Sequence, residues 1–192
     1  IKIPNLTLHK LENKNSLAFL KPTKDFFVGS SSENVSCKKN QSQNFNEKYL
    51  EAQKGFNKYN DDFFRKIKLK YIVLCSELEI AGIPALGFAN PEMKTLIFNI
   101  NTNNSNFERV LHHEVFHIIE HNFNKYFLNI SWSDLNLKEF KYSACSTCSN
   151  NYSLEKIYNS KGFVSEYAKS TISEDMAETF SFMMSDNNLI LD

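Results

Sequence analysis

The sequence predicts an α+β chain, with a small mixed sheet feeding two helices that carry chemically active side chains. Three observations point there. Lys70–Leu74 and Thr95–Ile100 are short runs rich in Ile, Val, Leu and Phe, the composition of strands. Residues 105–121 repeat apolar positions at helical spacing around His113-Glu114-Val115-Phe116-His117. Residues 173–186 form a second helical stretch that opens with acidic residues, Ser173-Glu174-Asp175-Met176-Ala177-Glu178.

Taken in order, residues 1–45 are polar and rich in Ser, Asn and Lys, with Gly29-Ser30-Ser31-Ser32 as a loop. Residues 46–68 read as a helix, because Phe45, Tyr49, Ala52, Phe56, Tyr59 and Phe63 recur near a 3.6-residue period. Between the two strand-like runs, Gly82-Ile83-Pro84 and Ala89-Asn90-Pro91 signal turns. The Asn-rich stretch Asn101–Asn106 leads into the 105–121 helix, where Ser105-Asn106-Phe107-Glu108 fits a capping box. Residues 122–172 mix short helices and loops around Trp132 and Cys145-Ser146-Thr147-Cys148. No internal repeat is visible, and the 17 phenylalanines predict a Phe-rich core.

The H-E-x-x-H pattern is the most specific chemical signal. Residues four apart on an α-helix lie on one face, so the His113 and His117 rings stand side by side, able to share one Zn²⁺ at roughly 2.0–2.1 Å. Glu114 points to nearly the same side, where it can take a proton from a water activated by the metal. A catalytic zinc usually has three protein ligands and one open position. The extended pattern H-E-x-x-H-x-x-G-x-x-H is excluded, because Glu120 and Phe123 occupy its glycine and third histidine positions. His112 and His121 are read as surface residues or outer partners of the site. The third ligand is expected in Glu174…Glu178, which share a helical face. One of the two would bind zinc and the other accept the free N–H of a ligating histidine. Thr171-Ile172-Ser173-Glu174 also fits a capping box, so Glu174 has a competing structural role. Small Ala177 would let this helix pack closely on the first.

With those residues in view, His113-Glu114-x-x-His117 followed by Glu174-x-x-x-Glu178 resembles the gluzincin metallopeptidases. Within them, Glu174-Asp175-Met176-Ala177-Glu178-Thr179-Phe180, with Tyr167 seven residues before Glu174, is most similar to the group of the anthrax lethal factor catalytic domain and the Pro-Pro endopeptidases. The resemblance implies His113, His117 and Glu174 as ligands of one catalytic Zn²⁺. It implies Glu114 as general base, Tyr167 as hydrogen-bond donor to the developing oxyanion, and Glu178 as an outer carboxylate behind a ligand. The Tyr-Pro of that group is replaced here by Phe163-Val164-Ser165-Glu166-Tyr167-Ala168. The implied fold is zincin-like across residues 1–192 as a single domain. Residues 1–121 are its N-terminal α/β part ending in the H-E-x-x-H helix, and 122–192 a mainly helical C-terminal part. In that order of elements, Thr95–Ile100 stands where a substrate-pairing edge strand would lie, although it could equally be internal.

Composition bounds the remaining classes. There are 22 basic and 22 acidic residues and no strongly basic block, which argues against nucleic acid as partner. No run of apolar residues is long enough to span a membrane. The expected partner is a protein or peptide substrate, met by a monomer. Four cysteines leave open a four-thiolate zinc site, one or two disulfides, or free thiols. At least one disulfide in a secreted or extracytoplasmic protein is favoured. The alternative to a zinc-dependent peptidase is a catalytically inactive binding module that keeps zinc as a staple. A thiol-based function at Cys145 and Cys148 lacks a supporting βαβ context.

Overall fold

A computed structural model describes residues 6–9, 16–30, 34–39, 44–102, 104–127, 131–147 and 162–185. The chain first forms β1 (Leu6–His9), β2 (Ala18–Pro22), β3 (Phe26–Gly29) and β4 (Asn34–Cys37). Helices α1 (Phe45–Phe56) and α2 (Phe63–Lys66) follow, and then β5 (Tyr71–Cys75), β6 (Leu78–Ile80), β7 (Ile83–Pro84), β8 (Gly87–Asn90) and β9 (Thr95–Asn99). The remaining helices are α3 (Asn104–Asn122), α4 (Asn124–Phe127) and α5 (Ile172–Ser185). Short 3-10 turns lie at Trp132–Leu135 and Tyr167–Lys169. The architecture is mixed α+β.

Two sheets organise these elements. The larger has the order β1-β2-β5-β9-β8; the smaller has the order β3-β4-β6-β7. In the larger sheet β2, β5 and β9 run parallel, while β1 and β8 pair antiparallel at its two edges. Central parallel strands are covered on both faces, which is why Ile72-Val73-Leu74-Cys75 and Leu96-Ile97-Phe98 are continuous apolar runs and are buried throughout. One face of the sheet packs on α1 and α3 through a core of Phe19, Phe56, Phe64, Phe98 and Phe107. Several of these rings meet edge to face, the arrangement aromatic quadrupoles favour. The other face packs on the smaller sheet through Val35, Val73, Leu78 and Ile97. A disulfide between Cys37 and Cys75 ties β4 of one sheet to β5 of the other.

Several expectations need correction. Residues 1–45, read as polar and rich in Ser, Asn and Lys with no strand assigned, hold four strands among the described residues. Their apolar stretches are short or interrupted, as in Leu6-Thr7-Leu8 and Val35-Ser36-Cys37, so single-segment periodicity does not reveal them. The helix expected over 46–68 is two helices. Asn57-Lys58-Tyr59-Asn60 closes α1 with Lys58 and Tyr59 amides bonding three residues back, to Gly55 and Phe56. Asn and Asp side chains favour such breaks by competing for backbone groups. Lys68, at φ 59°, then stops α2, with the Leu69 amide reaching back to Phe64. The expected turn at Gly82-Ile83-Pro84 is displaced by one step. Ala81 and Gly82, at φ 51° and 80°, make a two-residue hairpin turn, and Ile83–Pro84 already belongs to β7. Thr95–Asn99 is internal, between β5 and β8. The edge of the larger sheet facing α3 is β8, which begins where no strand was expected. Helix α3 starts at Asn104, and Glu108 forms an ion pair with Lys58 at 2.8 Å. The Ser105 side chain, half of the expected capping box, lies outside the described residues.

The Cys37–Cys75 bond closes a loop with a sequence separation of 38, so its removal should cost about 4 kcal/mol of unfolding free energy on loop-closure entropy. Urea unfolding of wild type and of the Cys37→Ala/Cys75→Ala variant checks this. Equal midpoints would mean the two sheets hold together without it.

Candidate metal centre

Helix α3 divides its faces. Phe107, Leu111, Val115 and Ile118 are buried against the larger sheet. The opposite side carries Arg109, His113, Glu114 and His117 toward α5 and β8. Helix α5 is placed by its first turn and by Ala177, which is fully buried in a cluster with Phe116 and Met176. The Thr171 hydroxyl accepts the Glu174 amide at 3.2 Å, so the expected cap forms. The Glu174 carboxylate, however, is not spent on capping and turns to the histidines. Next to it, Asp175 accepts hydrogen bonds from Trp132 Nε1 at 2.8 Å and from the Tyr142 hydroxyl, anchoring the 131–142 segment on α5.

The three side chains expected as ligands converge. His113 Nε2 lies 3.1 Å from His117 Nε2 and 3.0 Å from Glu174 Oε2, and His117 Nε2 lies 3.4 Å from Glu174 Oε2. Three donors on a tetrahedral ion at roughly 2.0–2.1 Å stand about 3.3 Å apart, so this triangle has the size of one tetrahedral face. Glu174 Oε2 is buried without an aligned hydrogen bond, which suits a lone pair aimed at a cation. Among the described residues, His113, His117 and Glu174 form the group able to hold a metal ion.

Outer contacts orient the rings. His113 Nδ1 donates to Glu178 Oε1 at 2.9 Å, leaving the Nε2 lone pair facing the triangle. Glu178 is almost fully buried and also accepts from Arg109 at 3.0 Å and from the Ser165 hydroxyl at 2.6 Å. Burial opposes its charge, but His113, Arg109 and Ser165 outweigh that and hold its carboxyl below the usual range. His117 Nδ1 stands 3.4 Å from Ser173 Oγ and 3.6 Å from Glu120, and Ser173 donates to Glu120 at 2.5 Å. Burial likewise opposes charge on His113 and His117. The surrounding carboxylates win, raising His113 well above its usual value and His117 to about 9. The cluster therefore attracts positive charge.

His112 is neither a surface residue nor an outer partner of the site. It is fully buried, with Nδ1 bonded to the Tyr59 hydroxyl at 2.7 Å, and burial lowers its pKa to about 4. It is a neutral core histidine on the far side of α3. His121 is exposed.

Glu114 and Tyr167 flank the triangle in a cleft of about 840 Å³. Burial pushes the Glu114 carboxyl up, against the pull of His113, His117 and the nearby Ala89 backbone. Gly87 makes this approach possible. A Cβ there would stand 2.6 Å from Glu114 Cγ and 2.7 Å from Oε1. Burial, with Glu174 and Glu114 nearby, pushes the Tyr167 phenol up and keeps it protonated.

Sequence reasoning missed Arg109, Ser165, Gly87 and Ala89. Arg109 had a readable signal, because it stands four residues before His113 on the same helical face. The other three reach the site from separate segments. Cys145 is disulfide-bonded, and Cys148 lies outside the described residues.

Glu174→Ala should weaken zinc binding by at least ~100-fold, and Glu178→Gln by roughly 10–100-fold, measured by chelator competition. Undiminished affinity in Glu174→Ala would remove that residue from the ligand set.

Comparison with known proteins adds one finding. No curated protein and no solved structure matches the chain. The sequence profile of one family matches residues 33–191, most of the chain's length. On that match, the chain belongs to the family described as "Putative zinc-binding metallo-peptidase".

Proposed function

We propose that this chain is a zincin-like endopeptidase of the gluzincin type, using one zinc ion held by His113, His117 and Glu174. The observation that carries this reading is the triangle of His113 Nε2, His117 Nε2 and Glu174 Oε2 at 3.0–3.4 Å, with Glu114 and Tyr167 beside it in one cleft. Zinc bound there supplies a Lewis acid, acidifying water and polarising a carbonyl. Glu114 serves as general base. Its burial raises its proton affinity, so it takes the proton of the attacking water and returns it to the leaving amine. Tyr167, kept protonated, donates its hydroxyl hydrogen to the oxyanion. Glu178 fixes the His113 ring rather than binding the ion.

The edge strand β8 is the surface along which an extended substrate would lie. Gly87 faces Phe98 and Ala89 faces Leu96 across the ladder, and the Asn99 amide bonds to Leu86 O. Strand alternation then turns the backbone groups of Gly87 and Ala89 away from β9 and toward the cleft. One chain supplies every residue of the site, in keeping with a monomer. The Cys37–Cys75 bond and the disulfide at Cys145 support a secreted or extracytoplasmic location. Similarity to the lethal factor and Pro-Pro endopeptidase group rests on Glu174, Glu178, Phe180 and Tyr167.

Cleavage of a diverse peptide library by zinc-loaded protein tests the reading. Glu114→Ala should keep one zinc per chain and lose turnover; retained turnover would exclude Glu114 as base. Tyr167→Phe should lower kcat by roughly 10²–10³-fold at unchanged zinc content, the usual loss for one oxyanion donor. Gly87→Ala should also lower kcat, because the added methyl displaces Glu114. An active Gly87→Ala enzyme would mean the glutamate works from another position.

A further inference from the structure

The cleft wall opposite α3 has a composition that metal binding does not explain. The β6–β7 hairpin and the segment after it line the cleft with Ile80, Ile83, Pro84, Leu86 and Phe88. Charged residues make up 23% of the chain, yet among the described lining residues the only acidic groups are Glu114 and Glu174, and there is no Lys or Arg. Ile83 remains 51% exposed, on the edge strand β7 of the smaller sheet. The tight Ala81–Gly82 turn holds it in place, and Pro84 beside it removes a backbone donor from that edge.

We infer that this wall receives an uncharged, apolar side chain next to the scissile bond of an internal peptide segment, with Ile83 setting the preference. The inference rests on the peptidase reading above. The cleft is continuous with the metal-binding triangle, so a peptide lying along β8 with its carbonyl at that triangle passes the hairpin. An apolar side chain loses contact with water there and gains contact with Ile83 and its neighbours. A Lys or Glu side chain would lose hydration there, and among the described lining residues no opposite charge stands on this wall outside the metal-binding cluster. A free chain terminus meets the same lack of partners among the described residues outside the metal-binding cluster, so the bound segment is internal.

The test uses peptides blocked at both ends that differ only in the residues flanking a central bond, Leu, Phe, Lys or Glu. Cleavage by zinc-loaded wild type and Ile83→Asp is mapped by mass spectrometry. Binding of the same peptides to zinc-loaded Glu114→Gln, with and without Ile83→Asp, is measured by calorimetry. Ile83 is half exposed, so its variant should fold, and thermal unfolding checks that it does. Wild type should favour Leu or Phe over Lys or Glu at one flanking position by at least ~10-fold. Ile83→Asp should erase that preference and improve Lys at the same position only. A charged preference in wild type, or an unchanged profile in Ile83→Asp, overturns the inference. No cleavage together with Ile83-dependent binding of Leu and Phe peptides would defeat the peptidase reading, and with it the scissile bond, and leave standing only the apolar preference of the wall. Neither cleavage nor such binding would defeat both.

Discussion

One buried carboxylate holds the site together. Glu178 on α5 takes hydrogen bonds from His113 and Arg109 on α3 and from Ser165 in the turn before Tyr167. Ser165 in turn accepts the Ala168 amide, bracing the Tyr167–Lys169 turn. Three separate segments are thus cross-linked through one side chain. Breaking a buried pair by removing one partner typically costs about 3–5 kcal/mol, because the remaining charge is stranded. The same bonds set the position of Glu174 one turn earlier on α5, and that of Tyr167. Ligand geometry and docking of the two helices are one constraint.

The readable part of the molecule follows from local repetition. His113, Glu114 and His117 fall on one side of a helix whose other side is apolar, and Glu174 and Glu178 repeat that spacing. These placements depend only on the pitch of a helix. His112 shows the limit of the same reasoning. Its angular position excluded it as a ligand, but only the packing of Tyr59, fifty-three residues away in sequence, shows it to be a core residue. The brevity of their apolar stretches is what hid β1 to β4 and β8. Gly87-Phe88-Ala89-Asn90 has weak strand composition and becomes a strand because β9 supplies its partners. Gly87 carried no local signal, since its importance lies in the space that Glu114 occupies.

The cleft lies where the two sheets meet. β8 belongs to the larger sheet, while β7 with Ile83 belongs to the smaller one. Their relative placement depends on the shared core of Val35, Val73, Leu78 and Ile97 and on the Cys37–Cys75 bond. The candidate metal triangle is therefore built on the helices, and the opposite wall on a separate layer. Changes in that layer can alter what the cleft accepts without moving the ligand triangle.

The contact between Trp132 and Asp175 gives the molecule an internal optical probe. The chain has one tryptophan, and its indole N–H is bonded to the residue that follows Glu174 on α5. Its emission therefore comes from the seam between α5 and the 131–142 segment and not from the sheets. Intrinsic fluorescence will follow the seating of the helix that carries Glu174, separating loosening of the centre from unfolding of the scaffold.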